Sequence, residues 1–355
     1  MKSNLVNTIG VQGSLEPISF AIDHSQIFII VRWRNIFTLV KVEINYEFSK
    51  AEVAWCHELA GGEYYDWAGT PILINFPSVV SSRSNKWIHV ISGNLRLILD
   101  SLSGELITSV KTEASPSAPA IILNNEILVP EGHVLCGYNL QDFRLTWRRP
   151  TPNNQWIFAA PISNISVLQH ENEENGYLWN FKSGILWDLP QVYYPTKQPI
   201  LFGDTVVISS GGYLSERLTA INLSTGVILW EADFRPSNQL RKSTIPLSNP
   251  VLDAGDKLIV AHSKPALEKL LINNGMRIWI VDLPAQPTAL VKIENQVWVG
   301  TSDGAIFLIN ADTGEVLDKT TISGQAVHIF SAKSPILGRN LTSVIDHLGN
   351  IHVII

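Results

Sequence analysis

Cysteine is nearly missing from this chain, and Cys56 and Cys136 are its whole supply. A disulfide-stapled framework is thereby excluded, and neither position has metal-ligand spacing, so we expect two buried free thiols. Clustered charge is missing too. Charged residues make up 16% of the sequence, the net charge is -6, and the basic residues nearest to a cluster are the pairs Arg32 and Arg34, Arg148 and Arg149, and Arg241 and Lys242. A nucleic-acid groove needs a basic stripe, so no nucleic-acid partner is expected. Apolar runs are broken by turns or charges at strand spacing, which excludes a membrane span. The N-terminus, MKSNLVNTIGVQGSLEPISF, has no apolar helix, small-residue cleavage site or lipidation cysteine, and a cytoplasmic location is expected.

Catalytic signatures are lacking as well. No phosphate loop or His-Glu-x-x-His occurs, and the nine histidines are scattered. His89, His262 and His352 fall on or beside expected strands, yet no Asp or Glu spacing ties them into a metal site. Asp66, Asp204, Asp253 and Asp303 fall in expected turns, where capping of the backbone is their ordinary role. We therefore expect no catalytic residue, no metal and no cofactor. An enzyme assembled from loops of distant repeats stays the alternative, because such a site leaves no local motif.

What the chain does have is a repeat. Pro17, Pro71, Pro119, Pro161, Pro199, Pro250, Pro287 and Pro335 each open or closely precede a short apolar run, at gaps of 37 to 54 residues. Between prolines, apolar runs and turns alternate to give four expected strands. The clearest copies start at Pro250 (VLDAG, KLIVAHS, LEKLLIN, NGMRIWIV) and after Pro287, where Asp303-Gly304 and Thr313-Gly314 mark hairpin turns. A Trp recurs at one register of the fourth run, as Trp55, Trp147, Trp187, Trp230 and Trp279, with Thr108 and Asp318 at that place in two other copies. Rings at that pitch are expected to dock one sheet on the next, each burying roughly 150–250 Å².

The ends set the number of sheets. After Pro335 come three expected strands, PILGR, LTSVIDH and NIHVII, with no fourth, and before Pro17 comes one, LVNTIGV. Lending the first strand to the last three avoids an open edge and makes eight sheets in a ring. The expectation is an all-β, eight-bladed β-propeller of four-stranded antiparallel blades, one domain over residues 1–355, closed by its N-terminal strand. Seven blades is the alternative.

The pattern [DN]-x-x-[TS]-G-x-x-x-W stands complete in AINLSTGVILW and in part in LILDSLSGELIT, LWNFKSGILW and LINADTGEVLD. It resembles the repeat of pyrroloquinoline-quinone-type β-propellers, a family that includes quinoprotein dehydrogenases and outer-membrane assembly lipoproteins. The resemblance implies the propeller fold and blade docking by the Trp. Its dehydrogenase members pair a calcium-bound quinone with a disulfide of adjacent cysteines and catalytic acids; this sequence has no Cys-Cys pair, so that chemistry does not carry over.

Function is then expected in loops. Crossings from fourth to next first strand, and from second to third, leave on one face of a propeller. Tyr64, Tyr65 and Trp67 stand there in GGEYYDWAG, where exposed aromatics suit an interface. A Trp67 folded back over the central channel is the competing role. Trp156, Tyr193, Tyr194, Phe234 and Arg235 extend the candidate surface, beside an acidic knuckle at His170, Glu171, Glu173 and Glu174. The expectation is a scaffold propeller, monomeric alone, that grips a protein or peptide. The alternative is a small-ligand or catalytic site in the channel, with His89, Asp204 and His262 as candidate groups.

Overall fold

A computed structural model describes residues 3–6, 16–23, 26–33, 36–45, 50–59, 78–81, 87–92, 95–111, 118, 120–157, 161–169, 176–189, 198–212, 215–234, 251–253, 255–262, 265–333 and 340–354. Among these the chain is all-β, with eight four-stranded antiparallel sheets. Seven sheets are continuous in sequence, at residues 16–59, 78–111, 121–150, 156–189, 200–233, 251–282 and 287–321, and are numbered blades 1 to 7. Blade 8 holds Ala326–Lys333, Asn340–Asp346 and Ile351–Ile354 in order, with Ser3–Val6 beside Ile351–Ile354 in antiparallel register, Ser3 opposite Ile354 and Val6 opposite Ile351. This is the architecture of an eight-bladed β-propeller, and the count of seven does not hold.

Two of the eight prolines do not mark what their spacing suggested. Blade 8 begins at Ala326, ahead of Pro335, so PILGR is not its first strand. Blade 4 begins with the short strand Trp156–Ile157, and Pro161 follows it, buried in the connection to the second strand. The N-terminal strand is also shorter than LVNTIGV, and residues 7–15 lie outside the described residues.

Burial explains the composition of the strands. Second and third strands are covered on both faces by neighbouring blades, and so read as buried runs that are apolar, such as Ile127, Leu128 and Val129, or nearly so, such as Ile88, His89, Val90 and Ile91. Fourth strands face solvent on the outer edge and alternate, as in Ile228–Asp233, half-buried and exposed by turns. The core is therefore a series of clusters, found in seven seams between blades among the described residues. Leu39, Leu59, Val90 and Leu99 join blades 1 and 2; Ile259, Leu267, Val299 and Phe307 join blades 6 and 7. The seams between blades 2 and 3, 3 and 4, 4 and 5, 5 and 6, and 7 and 8 hold clusters of the same kind.

The conserved look of the third-to-fourth turn has a physical cause in each residue. The Asp or Asn carboxyl or amide oxygen accepts backbone N–H groups two and three residues on: Asp100 from Leu102 and Ser103, Asn180 from Lys182 and Ser183, Asn310 from Asp312 and Thr313. The Ser or Thr hydroxyl oxygen then accepts the N–H of the second residue after it, as Thr225 does from Val227 and Thr313 from Glu315. The glycine takes a left-handed conformation, φ +72° at Gly226 and +77° at Gly314, which side chains disfavour. A bulge in the fourth strand follows in blades 1, 2, 3, 5, 6 and 7, next to the partner of the Trp register. Bulges re-aim a side chain, and here the side chain re-aimed is the docking residue.

Among the described residues no helix is long and apolar enough to cross a membrane.

Candidate functional site: blade seams and loop face

Four of the five tryptophans dock on the following blade, each over the glycine of its third-to-fourth turn. A methyl carbon added at Gly226 would meet Trp187 Cδ1 at 2.0 Å, and one at Gly275 would meet Trp230 Cδ2 at 2.8 Å; Gly104 carries Trp55 and Gly314 carries Trp279 in the same way. The indole N–H donates to a carbonyl in that turn: Trp55 to Ser101, Trp230 to Ile272 at 2.5 Å, Trp279 to Ala311 at 3.2 Å. These three seats thus join a flat apolar face with one polar anchor. Sequence reasoning found the rings but not their seats. The signal was the Gly of the same motif, one blade later.

Blades 2 and 3 exchange the parts. Blade 2 has Thr108 where a Trp would stand, and blade 3 has Phe143 (φ +61°) where the seat glycine would stand. The Phe143 ring turns into the seam instead, 5.1 Å from the Trp87 ring and 4.2 Å from His89. Around it lies a buried polar group. Arg96, 1% exposed, donates from Nη2 to the Phe143 carbonyl and stacks its guanidinium 3.6 Å from the Tyr138 ring centre, while Tyr138 donates to Glu131 at 2.6 Å. Burial pushes the Glu131 carboxyl upward and the Cys136 thiol up to about 12. Burial, and after it the charge of Arg96, hold His89 down to about 3 from an ordinary 6.5.

His89 is therefore neutral in the fold and takes up a proton on unfolding below about pH 6.5. Stability must fall as pH drops from 6.5 toward 3, because the unfolded chain binds the proton that the folded one refuses. In His89→Phe we expect the decline of urea stability over that window to be shallower than in the parent. Parallel declines would show that the imidazole is charged in the fold.

Blade 3 to blade 4 is the irregular seam. Trp147 does not reach Gly184 (φ +79°), which has no described atom within 4 Å of the place a methyl carbon would occupy. The indole lies back on its own sheet over Gly137, where a methyl carbon would meet Trp147 Cε2 at 2.3 Å. It donates to both oxygens of Glu126, at 3.1 and 2.9 Å, and stacks on Phe181 at 6.0 Å and 23°. Arg149 takes the vacated anchor and donates to the Phe181 carbonyl. The missing Cβ of Gly137 makes this possible, since the same register carries Lys41, Ala220 and Lys269 in blades whose Trp is docked. Docking by Trp147 was expected and is corrected here. Beside the turned indole a cleft of about 210 Å³ runs between Glu126, Trp147 and Arg149 on one wall and Asn164, Phe181 and Lys182 on the other.

The residues expected to bind a partner fare differently. Tyr64, Tyr65, Trp67, Tyr193, Tyr194 and Arg235, with the knuckle at His170, Glu171, Glu173 and Glu174, lie outside the described residues. Trp156 belongs to the first strand of blade 4, opposite Gln169, and not to a crossing. Phe234 is 9% exposed and packs with Leu258 and Leu270 between blades 5 and 6, so it is core, drawn inward by the apolar seam at the end of its strand. Cys136 is a buried free thiol as expected, whereas Cys56 is exposed on a fourth strand, where every second side chain meets solvent.

The channel candidates stand in three different blades: His89 is in the seam of blades 2 and 3, Asp204 is exposed in the first-to-second turn of blade 5, and His262 ends the second strand of blade 6, opposite Ala266. His352 is buried in blade 8 with Nε2 3.0 Å from Asp346 Oδ2. Asp253 is not a solvated turn residue but a buried partner of Lys269 at 2.5 Å and Lys292 at 3.2 Å. Among the described residues no three of His, Cys, Asp and Glu gather where they could hold a metal ion.

Eight docked sheets with this turn define a β-propeller. Residues 178–349 match the family model described as outer membrane protein assembly factor BamB. Among solved structures the chain is similar to BamB from Moraxella catarrhalis, with 14% identity and a TM-score of 0.62 over 99% of this chain and 97% of that one. It is similar to Sqt1 from Saccharomyces cerevisiae, with 12% identity and a TM-score of 0.68 over 99% of both chains. A europium-containing methanol dehydrogenase follows, with 9% identity and a TM-score of 0.62 over 96% of this chain and 83% of that one. At these identities the likeness is one of fold. No curated protein matches the sequence.

Proposed function

We propose that this protein is a non-enzymatic interaction propeller that holds a protein or peptide on the face of its fourth-to-first crossings. The observation that carries the reading is the family match to an assembly factor over residues 178–349. The spread of the channel candidates supports it, because His89, Asp204 and His262 stand in three different blades, in a seam, in an exposed turn and at a strand end. So does the distribution of chain length. Third-to-fourth turns are tight, while the crossings after blades 1 and 5 run from Leu59 to Ser78 and from Asp233 to Val251, and the first holds Tyr64, Tyr65 and Trp67. A platform of this kind works as a closed ring, and we take the pairing of Ser3–Val6 with the last sheet as its closure.

Replacing Tyr64, Tyr65 and Trp67 together by Ala should abolish capture of a partner identified by cross-linking, with far-ultraviolet circular dichroism and Tm near those of the parent. Undiminished capture would move the contact off this loop.

A further inference from the structure

The seam between blades 3 and 4 holds two halves of a docking device that do not engage each other. Trp147 is turned away, and the Gly184 turn, Asn180-x-x-Ser183-Gly184, is built like the Asn222 and Asn310 turns, which carry Trp187 and Trp279. Cations surround this seat, which holds no indole and whose anchor carbonyl, Phe181, accepts from Arg149. Arg149 and Lys182 are exposed on the two walls of the cleft, and Arg144 is exposed at the base of the same outer strand. The carboxylate in the cleft, Glu126, is engaged by the Trp147 N–H and the Thr146 hydroxyl, at 2.6 Å for the latter. A volume of about 210 Å³ falls below the ~300–1,000 Å³ of small-molecule pockets and suits one large side chain.

We propose that this seam is a docking site for a segment of a partner protein that bears one tryptophan flanked by carboxylates. Its indole lies on the Gly184 turn, as Trp230 lies on Gly275, and Arg149 and Lys182 meet its acids. The site is on the outer wall of the ring and is independent of the loop face. Its occupant resembles the chain's own fourth strands, in which Trp230 is followed by Glu231 and Asp233. Binding there adds the ring that blade 3 withholds.

The probe is a fluorescently labelled synthetic peptide with the sequence of residues 227–233, VILWEAD, titrated against the full chain by anisotropy. Saturable binding is expected, weakened about tenfold or more when the peptide's tryptophan is replaced by alanine. A comparable loss is expected in the double variant Arg149→Gln and Lys182→Gln; because Arg149 also donates to the Phe181 carbonyl, a thermal melt of the variant and the single change Lys182→Gln, expected to weaken binding at the parent Tm, separate lost charge from a loosened seam. Gly137→Ala provides the sharpest test. Its methyl group displaces the Trp147 indole toward Gly184, as in blade 5 where Ala220 faces a docked Trp230, and should remove peptide binding at an unchanged or higher Tm. The Tyr64, Tyr65 and Trp67 variant should bind the peptide normally, which separates this site from the loop face. No saturable binding at millimolar peptide, or binding indifferent to the Arg149 and Lys182 changes, overturns the proposal.

Discussion

Deleting residues 1–12 will leave a protein that aggregates at expression temperature and, where soluble, melts well below the full chain. The cut removes Ser3–Val6 and with it the fourth strand of blade 8, so the backbone of Ile351–Ile354 loses its outer partner. An unpaired edge on a sheet whose last strand is Ile351, His352, Val353 and Ile354, all buried, is a template for pairing with a second chain. The loss falls on a total stability of about 5–15 kcal/mol, so even a few hydrogen bonds and the covering of these side chains weigh heavily. Size-exclusion chromatography and a thermal melt decide the matter. A truncated chain that is monomeric and melts within about two degrees of the parent would falsify closure of the ring by this strand.

Lys269→Ala should cost about 3–5 kcal/mol, since it leaves a buried carboxylate short of its closest cation. Lys269 is 1% exposed in the seam of blades 6 and 7, with Nζ 2.5 Å from Asp253 and 2.7 Å from the Ala311 carbonyl of the next blade. It stands directly opposite Trp279 in the sheet, so its methylene stem also backs the docked ring. Lys292 reaches the other Asp253 oxygen at 3.2 Å but is only partly buried and cannot replace the lost partner. Replacing both members, Lys269→Met with Asp253→Leu, should recover most of the loss, because no buried charge is then left alone. Urea titration of the two variants distinguishes a buried pair from simple packing: equal losses would show that Lys269 acts through its stem alone.

The repeat was legible in the sequence because turn chemistry and strand burial are local. Asp100, Asn180, Asn222 and Asn310 shape turns with their own neighbours, and a composition rule can find them. Proline was a weaker marker, since Pro161 and Pro335 follow their first strands. What could not be read was any relation across a seam. The seat of Trp230 lies 45 positions on, at Gly275, and the turned indole of Trp147 depends on Gly137, a residue that looks like an ordinary strand interruption. Phe234 read as a surface aromatic because its neighbours Arg235 and Pro236 are polar or turn-forming, but its burial is decided by Leu258 and Leu270 of the next blade. The buried ion pair of Lys269 and Asp253 escaped for the same reason: charge in sequence is read as solvated until a neighbouring sheet covers it.

The docking rule also changes what counts as a module in this ring. A tryptophan belongs to one blade and its glycine to the next, and where one half changes, as at Thr108, the other has changed with it, as at Phe143. The portable segment therefore runs from the fourth strand of one blade through the third-to-fourth turn of the following one, offset from the blade by one strand. A graft cut at blade boundaries would bring mismatched halves to both of its joints, whereas a graft cut at this offset would carry a complete joint inside it.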